Sequence, residues 1–174
     1  MINYPLSELH RIKLRVFRSL SERSYAKIDN SLGIYRIGLN ALNSPDFYLT
    51  IFAHELAHIL FNKFGDDELG VIRRELTAWR IAKTILPEPL FSEERAWYCL
   101  KTYIEEYLGN TNLFERLKAL GLRPLNIQRE NLYLIRNFIY EKIENSKIFK
   151  NLKEARYILR QDLIRLESQL NKSN

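Results

Sequence analysis

The chain has 174 residues and a mass of 20.8 kDa, with 46% hydrophobic and 28% charged residues, so it is neither disordered nor too short to bury a core of its own. Its single cysteine, Cys99, excludes a disulfide framework and any cysteine-rich zinc site within one chain. The net charge is +6, from 12 Lys and Arg against 10 Asp and Glu over residues 1–91 and 15 against 11 over residues 92–174, which suits a weak nucleic-acid contact without naming one.

No basic segment followed by an apolar run opens the chain, and no stretch approaches the ~20 apolar residues of a membrane helix, so the expectation is a cytoplasmic protein with no membrane partner. Leu6, Leu9, Lys13, Val16 and Leu20 recur at helical spacing and predict a first helix over residues 6–22, with Arg11, Arg15 and Arg18 on a solvated face. Residues 24–40 are rich in β-formers around the turn Asn30-Ser31-Leu32-Gly33, which predicts a hairpin whose better strand is 34–40.

Ser44-Pro45-Asp46 reads as a helix start, and the helix that follows reaches about Phe64, with Gly65 as its stop. Asp66-Asp67-Glu68 opens another, which runs through Glu75 and Ala82 to Leu86 before Pro87 and Pro89 end it. Beyond Phe91 only helices are predicted, from Ser92 to Leu108, over 112–120, over 127–144 and over 147–170. The last carries Leu152, Ala155, Leu159, Leu163, Leu166 and Leu170 at spacings near a coiled-coil seam. That seam needs a helical partner, either the stripe Leu132, Ile135, Ile139 and Ile143 in an antiparallel hairpin or another chain. The pattern predicts an α+β, mostly helical protein with a small sheet, divided into residues 1–91 and a helical extension over 92–174.

His54-Glu55-Leu56-Ala57-His58 stands out from this background. A shuffled chain of this composition contains His-Glu-x-x-His only about 0.3% of the time. Residues four apart on a helix lie one above the other, so two imidazoles can reach one ion at zinc's preferred ~2.0–2.1 Å. Glu55 is turned about 100° from His54, so it misses the ion yet can reach water held there and act as general base. The helix is apolar almost all round and therefore buried, and two histidines and a glutamate inside it need partners.

A catalytic zinc takes a third protein ligand and keeps a position open. His10 is remote in sequence, and Asp66, Asp67 and Glu68 are more natural as helix caps. Glu75 shares a face with Val71, Ala78 and Ala82, where a lone carboxylate would be costly and where small residues allow close approach to the motif helix. The competing role for Glu75 is an ion pair with Arg74, Arg80 or Lys83.

With Glu75-Leu76-Thr77-Ala78-Trp79, Ala82 and Ile85-Leu86-Pro87 following the motif, and the strand 34–40 before it, residues 25–88 resemble the ImmA/IrrE-like zinc metallopeptidases, HExxH zincins with a glutamate as third ligand. Many of these carry an acidic residue after the alanine, where this chain has Trp79. The resemblance implies zinc held by His54, His58 and Glu75, Glu55 as general base, and hydrolysis of a protein or peptide substrate lying along strand 34–40 as the sheet edge. Relatives often act on a DNA-bound repressor, which allows for a nucleic-acid-bound substrate. The competing function class is a non-enzymatic binding module or structural component of a viral, mobile-element or nucleic-acid-associated assembly that keeps a zincin fold. The candidate oxyanion donors are Tyr35, Tyr98 and Arg80. Cys99, between Tyr98 and Leu100, reads as an inert buried thiol.

Overall fold

A computed structural model describes residues 6–21, 23–29, 33–40, 47–61, 67–109 and 111–172. A 3-10 turn, Leu6–Arg11, leads to β1 (Leu14–Ser19), β2 (Tyr25–Asp29) and β3 (Ile34–Asn40). Then come α1 (Tyr48–Leu60), α2 (Glu68–Ile85), α3 (Glu93–Leu108), α4 (Thr111–Leu120), α5 (Arg129–Asn145), a second 3-10 turn (Lys147–Phe149) and α6 (Lys153–Lys172). The chain is α+β and mostly helical, as its periodicity predicts. No helix among the described residues is long and apolar enough to cross a membrane.

The predicted helix over 6–22 is not formed. Helical spacing holds through Leu6 and Leu9, both buried by the 3-10 turn, and fails at Leu14. From there each residue to Ser19 pairs in parallel register with Tyr35–Asn40 of β3. Val16 and Phe17 suit a pleated surface, and the ladder satisfies the backbone groups that a helix would otherwise pair. Arg11, Arg15 and Arg18 are exposed as expected, but on a turn and a strand.

The hairpin is present, with β2 antiparallel to β3, although its turn residues 30–32 lie outside the described residues. The order β1-β3-β2 corrects a second expectation: β3 is the central strand, hydrogen-bonded on both sides, and cannot accept a peptide along its edge. Gly38 makes this centre tight. It pairs with Phe17 on one side and Tyr25 on the other, and a Cβ there would fall 2.7 Å from the Tyr25 ring.

Ile37 and Leu39 of β3 are fully buried, and α1 packs on β2 and β3. The predicted start of α1 at 44–46 and its stop at Gly65 lie outside the described residues. Asp67 caps α2 by accepting from the Gly70 amide at 2.6 Å, and Ser92 caps α3 by accepting from the Arg95 amide at 3.3 Å. Gly109 ends α3 in the left-handed conformation, with φ of 56°. Buried Ala78 and Ala82 leave room for α2 to lie against α1.

The predicted helix over 147–170 begins later, at Lys153, after the 3-10 turn whose Phe149 is fully buried. Phe149 packs on Phe52 of α1, with ring centroids 5.4 Å apart. α5 and α6 pack together, and Ala155, Leu159, Leu163 and Leu166 of the seam are buried inside the chain. One apolar core includes β3, α1, α2, α5 and α6, so it crosses residue 91. A second lies between α2, α3 and α4, around Trp79, Trp97 and Phe114.

Candidate metal centre

α1 is apolar on nearly every face and runs through the core, so residues 48–57 are all buried, among them His54 and Glu55 at 4% and 7% exposure. The i, i+4 spacing places His54 and His58 one turn apart, with their Nε2 atoms 3.1 Å from each other. Glu75 comes in from α2, on the face whose alanines permit the approach. One of its oxygens lies 3.0 Å from His54 Nε2 and the other 3.2 Å from His58 Nε2. Glu75 is 5% exposed, and its ion-pair contacts among the described residues are these two histidines. Two of the three competing cations are engaged elsewhere, Arg80 on the Arg123 carbonyl at 2.9 Å and Lys83 on Glu93 at 3.1 Å, and Arg74 makes no ion pair with Glu75.

The two imidazole nitrogens therefore lie 3.1 Å apart, and each meets a different oxygen of the Glu75 carboxylate, at 3.0 and 3.2 Å. Tetrahedral coordination with ~2.05 Å bonds puts neighbouring donor atoms ~3.3 Å apart. This buried His-His-Glu group can hold a metal ion. Two imidazole nitrogens turned towards each other and one carboxylate, with His54 and Glu75 buried and His58 partly so, are poorly satisfied by one another alone.

Burial and mutual contact shift each of these groups. Burial drives the His54 pKa down to about 4 against the raising effect of Glu75, so the imidazole is neutral at pH 7 as a metal ligand must be. Burial raises Glu75, but the two histidines overcome it and hold the carboxyl well below the usual range. Burial lowers His58, yet its contacts with Glu75 and the charge of Glu55 raise it more. Glu55 is pushed up to about 7, by burial first, with Glu75 adding to the rise and His58 opposing it.

His54 is oriented in an unexpected way. Its Nδ1 is buried with no hydrogen-bond partner, where a ligating histidine ordinarily donates to an acceptor. The indole of Trp79, one turn beyond Glu75 on α2, instead stacks on the imidazole at 3.7 Å and 16°. A flat, bulky surface fixes the ring plane there.

Glu55 and His54 line a cavity of about 440 Å³ whose other walls come from the start of β2, the end of β3 and one face of α3. Of the sequence-level oxyanion candidates, Tyr98 lines this cavity and Arg80 is turned to Arg123. Tyr35 is half-buried on β3 and is not among the lining residues. His10 is exposed on the first 3-10 turn and takes no part in the His-His-Glu group. Cys99 also faces the cavity, with its thiol pKa raised by burial, which agrees with an inert thiol.

Sequence reasoning missed Arg23, Arg95 and Tyr103 on these walls. Arg23 reaches across to α3, where it is ion-paired with Glu106 and lies 4.8 Å from the Tyr103 ring centroid. Arg95 carries one sequence signal. It sits in the first turn of its helix, where the helix dipole disfavours a cation. No protein family, curated protein or solved structure matches the chain.

Proposed function

We propose that the protein is a zinc-dependent peptidase of the ImmA/IrrE-like kind, with zinc held by His54, His58 and Glu75 and with Glu55 as general base. The observation that carries this reading is the close His54-His58-Glu75 group, with Glu55 lining the cavity beside it. Three protein ligands leave a coordination position free, whereas a structural zinc site is closed by four. Zinc, when bound, supplies a Lewis acid that acidifies water and polarises the scissile carbonyl.

Glu55 takes a proton from the attacking water as the water oxygen bonds to the carbonyl carbon. It then delivers that proton to the amine nitrogen as the C–N bond breaks. Its buried position beside two imidazoles keeps its carboxyl ready to exchange a proton near neutrality. Trp79 stands where many members of the family carry an acidic residue, and stacking replaces a hydrogen bond in orienting His54. The substrate peptide would lie along β2, the edge strand that packs on α1, rather than along β3.

The test is Glu55→Gln. The variant should keep its zinc and lose cleavage in a comparison of whole-proteome digests made with the two proteins. Cleavage at the wild-type rate by Glu55→Gln counts against this mechanism.

A further inference from the structure

The cavity beside Glu55 carries a cation that no carboxylate among the described residues neutralises. Two guanidinium groups line it, and Arg23 is already neutralised by Glu106. Arg95 is not: among the described residues no carboxylate lies within ion-pair distance of it. Its nearest acidic neighbours on α3 do not compensate it, since Glu93 is paired with Lys83 and Glu94 is exposed. The remaining carboxylate lining the cavity is Glu55, and no ion pair joins it to Arg95.

The guanidinium is nevertheless held in place. Its Cζ lies 5.3 Å from the ring centroid of Phe47, at the start of α1, and 4.9 Å from that of Tyr98, on α3. These cation–π contacts fix the plane of the group and leave its hydrogen-bonding edge unused. The Nε–H is shut from solvent and has no acceptor. A buried donor of this kind carries an appreciable desolvation cost until an acceptor arrives. A planar cation with an open fork in a cavity matches a carboxylate, which can accept two parallel hydrogen bonds from it. A phosphate dianion fits less well, because the second cation is already engaged and Glu55 would repel the added charge.

We infer that this cavity is a subsite for an acidic peptide, in which Arg95 pairs with a carboxylate of the substrate close to the bond that Glu55 hydrolyses. The inference rests on the peptidase reading for its substrate class. The carboxylate comes from an Asp or Glu side chain or from the peptide's own C-terminus, and both present the same two oxygens. Arg95 is then the residue that selects substrates, and Phe47 and Tyr98 are positioning residues that keep its fork turned into the cavity.

The experiment measures binding, so that it does not depend on turnover. Zinc-loaded Glu55→Gln protein is titrated with a mixed-sequence decapeptide containing Asp and Glu. Three controls are its Asn and Gln counterpart and the amidated forms of both peptides. The expected result is a preference for the carboxylate of about tenfold, the value of a charge-assisted hydrogen bond, lost when Arg95→Gln is added. Arg95→Lys, which keeps the charge without the fork, should retain part of the preference and guards against a Gln variant that fails to fold. Loss of binding on side-chain amidation assigns the subsite to Asp or Glu, and loss on C-terminal amidation assigns it to the chain end. Equal binding of all four peptides, or a preference that survives both Arg95 variants, overturns the inference. Carboxylate-selective binding through Arg95 by a protein that cleaves nothing would refute the peptidase reading and leave the subsite standing. Cleavage with no carboxylate preference would do the reverse.

Discussion

Replacing Arg136 by methionine should destabilise the protein by about 3 kcal/mol, because this side chain ties α2, α5 and α6 together with charge-assisted bonds out of water. Arg136 is 7% exposed, and its Nε and one Nη donate to the carbonyls of Ile85 and Thr84 at 3.2 Å each. Those carbonyls end α2, where a helix leaves acceptors without partners of its own. The other Nη lies 2.5 Å from Asp162 of α6. Burial lowers the Arg136 pKa and the Asp162 charge opposes that effect, so the pair is what keeps a buried cation tolerable.

Breaking a buried pair costs roughly 3–5 kcal/mol, and the lower end applies here because Asp162 keeps Arg165 at 2.6 Å. Urea unfolding followed by far-ultraviolet circular dichroism, with a chelator present throughout, removes any contribution from metal. With a slope of ~2 kcal/mol/M, the midpoint should fall by about 1.5 M. Adding Asp162→Asn should cost less in the Arg136→Met background than alone, because the two residues share one interaction. A midpoint shift below about 0.5 M, or strict additivity of the two changes, would refute the reasoning.

Deleting residues 147–174 removes Phe149 and Leu159 from the main core and uncovers the Ile135 and Ile139 stripe, so the truncated chain should aggregate while the full chain stays monomeric at micromolar concentration in light scattering. A soluble truncated form with unchanged circular dichroism would show that α6 is dispensable to the fold. Cys99 should react with iodoacetamide at pH 8 about tenfold more slowly than free cysteine, since burial raises its pKa and keeps it protonated; a rate equal to free cysteine contradicts this.

Much of this architecture is legible in local signals. The spacing of His54 and His58 is a property of the helix itself, and Glu75 follows from the cost of a carboxylate on an apolar stripe. Asp67, Ser92 and Gly109 mark helix ends through bonds to their own neighbours. Residues 14–19 were less legible. Leu6, Leu9 and Val16 mimic a helical stripe, and Phe17 interrupts the strand alternation because its ring meets Tyr25 across the sheet. Pairing with β3, each residue with one 21 positions later, decides the matter, and no local pattern carries that information. The central position of β3 is hidden for the same reason. Arg95 and Trp79 depend on tertiary placement: one looks like a surface charge and the other like core filler until α1 lies beside them.

The central claim is that His54, His58 and Glu75 together hold one zinc ion, and metal content measured on gently purified protein tests it most directly. Close to one zinc per chain is expected in the wild type and in Glu55→Gln, and a loss of stoichiometric zinc in both His58→Ala and Glu75→Ala. Wild-type protein without any transition metal, or undiminished zinc in His58→Ala, would contradict it.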